Sequence, residues 1–299
     1  MLRVGIVDCD SSHCIEFARR LNQAGVDRDQ FVDGARIEAV WCGESLMAPE
    51  RIPGFRAELQ QLEIPFVAEP TDLIGNVDVV LVLSLCGAAH LERARPFLEA
   101  GLPTFVDKPF TCSLADAQAI ASLAADHNTL CFSSSGLRFS QEVVDFRSSP
   151  TWGDLHGLIT YGPAKRAEKN PGLFHYGIHC VELLIELLGP DCESVSAISN
   201  DGAEVVTGRW ADGRLGTVRG SRTGSTAYGF AAFCENGVAS GPVSTRFAYR
   251  NLLQAIVRSV ETGTPAVPLE SSLAVVRFIT AALKSEQLGG APVTLADLT

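Results

Sequence analysis

The chain opens on a short run in which every residue is apolar, Val4-Gly5-Ile6-Val7. Such a run suits a parallel strand buried on both faces better than an alternating, half-solvated one. Behind it Ile15, Phe17, Ala18 and Leu21 fall on one side of a helix that Ser11 or Ser12 is placed to cap. The same succession then repeats. Ile37–Cys42 reads as a strand, Glu58–Leu62 as helical, Ile64–Val67 as a short edge strand, and Asp78–Leu85 as the most apolar strand of the chain. Ala88–Ala100 is a helix with Gly101 at its C-cap, Pro103–Val106 a strand, Leu114–Asp126 a helix behind Ser113, and Thr129–Ser133 a strand. Strict alternation from Leu2 to about Ser135 predicts an α/β domain over residues 1–135, a doubly wound parallel sheet of the Rossmann type.

Beyond Ser135-Gly136 the rhythm changes. Phe139–Phe146 reads as a helix, Gly157–Tyr161 as a strand, and His175–Leu188 as a long amphipathic helix stopped by Gly189-Pro190. Strands follow at Val195–Ser199, Glu204–Trp210, Leu215–Arg219 and Tyr228–Glu235, with Asp212-Gly213 and Asn236-Gly237 as hairpin dipeptides. Helices Thr245–Thr262 and Ser271–Gln287 close the chain. Residues 136–299 are therefore predicted to form an α+β domain with a mainly antiparallel, open sheet.

Charge narrows the partners. A formal net charge of −11 repels phosphate backbones and argues against nucleic acid as a partner. The longest apolar stretch, around Val77–Leu85, is too short to span a bilayer, and Met1-Leu2-Arg3 leads straight into a strand with no secretory apolar region, so a cytoplasmic protein without a membrane partner is expected. Nine cysteines, an odd number without a C-x-x-C, indicate neither a disulfide framework nor a zinc ribbon; buried thiols in a reducing compartment are expected.

Three stretches carry candidate chemistry. The turn Gly5-Ile6-Val7-Asp8-Cys9-Asp10-Ser11-Ser12-His13 stands where a Rossmann domain lets backbone amides meet a pyrophosphate. Gly5 fits the first glycine position, but Asp8 and Asp10 occupy places where small residues are usual, and an ordinary strand-to-helix turn fits as well. Val106-Asp107-Lys108-Pro109 puts a lysine at the carboxyl end of a strand, beside a proline suited to a cis peptide. The alternative is a surface lysine in a loop. In Gly172–Glu182, His175 and His179 are four apart and share one helix face, which suits proton transfer or a metal pair; a capping or core histidine is the bland alternative.

Taken in order, the strand–His90–helix–Gly101 stretch, Asp107-Lys108-Pro109, Gly136-x-Arg138-Phe139, His175-x-Gly177-x-His179 and the closing Phe278–Gly290 resemble the glucose–fructose oxidoreductase and inositol dehydrogenase family, Gfo/Idh/MocA, over nearly the whole chain. The resemblance implies hydride transfer between a nicotinamide and a CH–OH group of a sugar, inositol or related polyol, with Lys108 and His179 handling the hydroxyl proton across the cleft between the domains. It also implies a second domain whose open sheet mediates assembly, here a homodimer or homotetramer. His175 joins the catalytic candidates, and Arg138, Lys165 and His175 are expected on the substrate, with Arg166 and Lys169 beside Lys165. Gly5, Val7, Asp10, Ser11, Ser12, His13, Glu44, Ser84, His90, Asp107 and Lys108 are expected on the cofactor, NAD or NADP. Glu44 favours NAD through the ribose diol, while Arg51 and Arg56 are near enough to favour NADP. No resident metal is expected. Departures are Asp107 where the family has glutamate, His175 where it has aspartate, and the missing glycine-rich turn. Two other readings stay open: a redox-neutral lyase, hydratase or hydrolase, on the double histidine with nearby Cys180 and Glu182, and a non-catalytic sugar or nucleotide sensor, on the missing glycine-rich turn.

Overall fold

A computed structural model of the chain describes residues 1–298. It divides into two units: Met1–Thr111 with Asp116–Ser134 and Tyr249–Leu269, and Cys112–Ala115 with Ser135–Ala248 and the chain from Glu270.

In the first unit, β1 (Leu2–Val7), α1 (His13–Leu21), β2 (Ala35–Trp41), α2 (Ile52–Gln61), β3 (Val79–Val82), α3 (His90–Glu99), β4 (Thr104–Val106), α4 (Leu114–Asp126) and β5 (Cys131–Phe132) alternate as predicted. The five strands form one sheet in the order β2-β1-β3-β4-β5, with parallel pairing throughout. Burial on both faces accounts for the apolar runs: Ile6, Val7, Val80, Leu81 and Val82 are all fully buried. The segment around Ile64–Val67 contributes only a bridge between Val40 and Phe66, since Pro65 has no N–H to extend a ladder.

Register decides what meets at the sheet's edge. Val7 lies beside Trp41 and beside Val82, so the loops leaving β1, β2 and β3 start side by side. The sheet's order turns between β1 and β3, which is where such folds place their ligands. The same register brings Cys9 next to Cys42, with Cα atoms 5.4 Å apart, and the two are joined as a disulfide. The expectation of nine free thiols is corrected for this pair. An odd count and the lack of a C-x-x-C say nothing about two residues that parallel pairing brings together from 33 positions apart. Of the remaining thiols, Cys14, Cys86, Cys131, Cys180 and Cys192 are buried as expected.

In the second unit α5 (Gln141–Ser148) and β6 (Leu155–Pro163) precede α6 (Ile178–Leu188). Then come β7 (Cys192–Asn200), β8 (Ala203–Trp210), β9 (Leu215–Ser221), β10 (Tyr228–Cys234) and β11 (Gly237–Val243). Helices α7 (Ala248–Thr262) and α8 (Leu269–Gln287) and the short β12 (Val293–Thr294) complete the chain. The seven-stranded sheet runs β11-β10-β6-β9-β8-β7-β12. It is antiparallel apart from the β6–β9 pair. Strand β11, rich in glycine and carrying Pro242, has no strand signature in its sequence and forms only as an edge against β10.

A single cut near residue 135 assigns α7 to the second domain. From Tyr249 onward it instead groups with the first unit, with Leu253, Ile256 and Val257 against Leu2, Val4 and Leu81. Among the described residues, no helix is long and apolar enough to cross a membrane.

Candidate functional site

Strand β1 ends at Val7, so the turn after it begins at Asp8 and Gly5 lies within the strand. A Cβ on Gly5 would stand 3.2 Å from Leu73 and 3.3 Å from Val77. Gly5 is thus a packing glycine, a correction to its expected place in the phosphate turn. The residues that hold the G-x-G-x-x-G spacing after the strand are Asp8, Asp10 and His13.

Asp8 sits in the left-handed region at φ 72°. Its carboxylate accepts the Gly43 N–H at 3.1 Å and the Ser84 hydroxyl at 2.5 Å, and it pairs with Arg93 at 3.2 Å. A Cβ on Gly43 would come within 2.6 Å of that carboxylate, so the loop after β2 lies hard against it. Asp10 accepts the Leu85 N–H at 2.9 Å and the Ser45 hydroxyl at 2.6 Å. Burial raises the Asp10 pKa above the ordinary range, against the pull of its Ser45 and Leu85 hydrogen bonds. Two buried carboxylates therefore tie the loops after β1, β2 and β3 together where the strand order turns.

The other expected cofactor residues divide. Val7 is buried within β1, and Ser11 is buried with its hydroxyl accepting the His13 N–H at 3.3 Å, whereas Ser12 and Glu44 are exposed. Ser84 donates to Asp8. His90 is fully buried, with ring nitrogens 3.0 Å from the Phe110 carbonyl and 2.9 Å from the Ser84 carbonyl, and braces two loops. A dinucleotide's pyrophosphate needs bare backbone amides at this turn. Here two side-chain carboxylates stand in the cradle, and the residues as arranged do not fit the group.

At the end of β4 the Lys108–Pro109 peptide is cis, as Pro109 led us to expect. Asp107 is buried, with one oxygen 2.6 Å from His13 Nδ1 and the other accepting the Lys108 N–H at 2.8 Å. The His13 ring is itself wedged, stacked on Phe17 and edge-on to Tyr249 with centroids 4.9 Å away in each case. Burial pushes the Asp107 carboxyl up, but His13 and Lys108 together outweigh it and hold it at about 2. A carboxylate depressed in the folded state stabilises above its ordinary pKa, and that contribution is lost as pH falls through the folded value. Asp107→Asn is accordingly expected to cost on the order of 2 kcal/mol at neutral pH and to flatten the acid limb of stability below about pH 4. Urea midpoints measured across that range for both proteins check this; identical slopes would refute it.

The second unit's chemistry gathers at the start of α6. The predicted helix His175–Leu188 begins only at Ile178. Gly172 at φ 55° opens a short turn through Phe174 and the chain turns again before Ile178. His175 therefore precedes the helix, and the two histidines do not share a helical face, which corrects that expectation. The His175 ring stands edge-on to Tyr176 at 4.8 Å. His179 lies in the first turn, its Nδ1 2.6 Å from the Ser135 hydroxyl and its ring edge-on to Tyr228 at 5.5 Å. The Ser135 N–H donates to Glu182 at 2.7 Å, and Glu182 also accepts Arg138 Nε at 2.6 Å. Arg138 reaches Glu186 at 2.6 Å. With 2 % of its surface exposed and both these donors committed, Arg138 braces the site; its expected substrate contact is corrected. Lys165 and Lys169 are exposed, while Arg166 bonds to Glu204 and Glu286, each at 3.0 Å. Sequence reasoning missed Ser135 and Tyr228; the only signal was the serine run Ser133-Ser134-Ser135 where the first domain ends. No group of three metal-ligating side chains occurs among the described residues.

A doubly wound nucleotide-type domain with a lysine at a strand's carboxyl end, and a second unit whose mixed sheet accompanies a histidine-bearing helix, define a Rossmann-type protein of two units. Residues 46–135 match the family described as GFO_IDH_MocA, an oxidoreductase family with an NAD-binding Rossmann fold. This similarity to the Gfo/Idh/MocA family covers less than half of the chain. The matched segment takes in Lys108 and Ser135 and starts after the turn that carries Asp8 and Asp10. The uncharacterized oxidoreductase YhhX of Escherichia coli (strain K12) is 29% identical over 143 residues, 43% of this chain and 41% of that protein, so the match spans less than half of either. A crystal structure described as a probable dehydrogenase from Thermotoga maritima superposes with a TM-score of 0.84 at 20% identity over 100% of both chains. Scyllo-inositol dehydrogenase from Lactobacillus casei, solved with NAD(H) and scyllo-inositol, superposes with a TM-score of 0.80 at 14% identity over 99% of this chain and 100% of that one.

Proposed function

We propose that the protein interconverts a CH–OH carbon and the corresponding carbonyl in a sugar, inositol or related polyol, as an oxidoreductase linked to NAD or NADP. The observation that carries this reading is Lys108 at the carboxyl end of β4, set beside the buried Asp107 within the segment that matches the family. Lys108 and His179 are the proton-handling groups. Taking the proton from the hydroxyl raises electron density on the carbinol carbon. The Asp107 carboxylate, anchored by His13, fixes the backbone from which Lys108 projects. Ser135 holds His179 at Nδ1 and directs its proton exchange to Nε2. In the family the hydride is exchanged with a nicotinamide; here Asp8 and Asp10 stand where its pyrophosphate would lie, so a dinucleotide would have to displace their contacts. Glu44 supports NAD over NADP by offering a carboxylate after β2.

The filled turn favours a second reading, redox-neutral acid–base chemistry on the same polyol by the same two groups. Incubating the protein with inositols, aldoses and sugar acids and either dinucleotide separates them. The first reading expects NAD(P)H to form with at least one polyol; a polyol consumed with no change in dinucleotide would replace it with the second. We further propose a cytoplasmic homodimer or homotetramer. Exposed Ile198 pairs across from exposed Val205, and Phe233 across from Val238, so the sheet of the second unit presents apolar side chains that support self-association.

A further inference from the structure

We infer that Asp8 and Asp10 form an internal lock on the dinucleotide crevice, their carboxylates occupying loop donors that a bound dinucleotide would need and so competing with it. The inference rests on the proposed reading that the protein uses a dinucleotide, and it adds how that binding is restrained.

Three observations converge. Asp8, Asp10 and His13 stand at the glycine positions, so the lock begins where bare backbone would otherwise face phosphate. Apart from Arg93, the groups the carboxylates take are donors on the two loops flanking the crevice: the Gly43 N–H and Ser45 hydroxyl after β2, and the Ser84 hydroxyl and Leu85 N–H after β3. Such donors suit anionic or ribose oxygens equally well. Both carboxylates are also buried, at 4% and 3% exposure, so they fill space as well as satisfying donors. Arg93 partly balances the Asp8 charge, and the Cys9–Cys42 bond ties the same turn to the end of β2. A dinucleotide entering here must break hydrogen bonds already made, which subtracts directly from its affinity.

The sign of one substitution decides the matter. If Asp10 were a cofactor contact, replacing it would weaken binding. As a lock, Asp10→Gly is expected to tighten NADH or NADPH binding by about tenfold or more. Asp10→Asn, which keeps the volume and one acceptor but drops the charge, is expected to shift affinity the same way by a smaller factor. Calorimetric titration of wild type and both variants, in a dithiol-containing buffer that keeps Cys9–Cys42 open in every sample, reads this without any turnover. Should Asp10→Gly fail to fold, Asp10→Asn decides alone. Equal or weaker binding in a folded variant overturns the lock and leaves the cofactor reading standing. No binding to any of the three proteins at millimolar dinucleotide overturns both.

Discussion

Replacing Lys108 with Met is expected to lower kcat/KM by about 10²- to 10⁴-fold, the usual cost of losing a proton-transfer group, while the melting temperature and far-UV circular dichroism stay as in wild type. The fold should tolerate the change because Met keeps the aliphatic stem and Lys108 is only half-buried. Its backbone N–H, which donates to Asp107 at 2.8 Å, is untouched. The charge lost is one of several influences on Asp107, and His13 remains in place to hold that carboxylate ionised. Lys108→Arg separates two roles for the ammonium. Arginine keeps the positive charge but does not give up its proton in a protein. If Lys108 exchanges a proton with the substrate hydroxyl, Arg is expected to be nearly as inactive as Met and the pH dependence of residual turnover to change. If the ammonium only attracts substrate, Arg restores activity. Near-normal turnover of Lys108→Met would remove Lys108 from the mechanism altogether.

Legibility from sequence followed the range of the interactions. Leu114–Asp126 appears in the structure with the bounds its pattern predicts, and the parallel sheet follows from apolar runs such as Val79–Val82. Both are decided by burial and periodicity within one segment. Asp107-Lys108-Pro109 was legible for the same reason, being three consecutive residues whose chemistry is local. The Cys9–Cys42 bond and the Asp10–Leu85 tie were not, because they depend on which strands lie side by side and in what register, across 33 and 75 positions. Periodicity also overran its limits at His175. The apolar spacing continues smoothly into α6, but Gly172 in the left-handed region and the turn after it delay the helix to Ile178. Arg138 shows the converse failure. Its charge is visible in one dimension, whereas its burial and its two glutamate partners are not, and those partners decide that it braces rather than binds.

That bracing makes Glu182 a residue whose loss should cost heavily in stability. Glu182→Gln is expected to destabilise the protein by about 3–5 kcal/mol, the range for breaking a buried ion pair by removing one partner, read as a lower urea midpoint. Glu182 is 4% exposed and accepts from both Arg138 Nε and the Ser135 N–H. Burial works against the Arg138 charge, and Glu182 and Glu186 more than offset it. With Glu182 neutral, Glu186 must balance that guanidinium while also serving Arg147. Removing both charges together should behave differently: Arg138→Met with Glu182→Leu strands no buried ion, and is expected to recover most of the lost stability. The two variants also bear on His179. Ser135 joins its backbone N–H to Glu182 and its hydroxyl to His179 Nδ1, so Glu182→Leu loosens the residue that holds the imidazole even where stability returns. The double variant is therefore expected to be well folded yet impaired in turnover, with its pH profile displaced relative to wild type. A single variant within about 1 kcal/mol of wild type would show that the pair carries no more than a surface salt bridge. A double variant with unaltered kinetics would show that Ser135 needs no support from below to position His179.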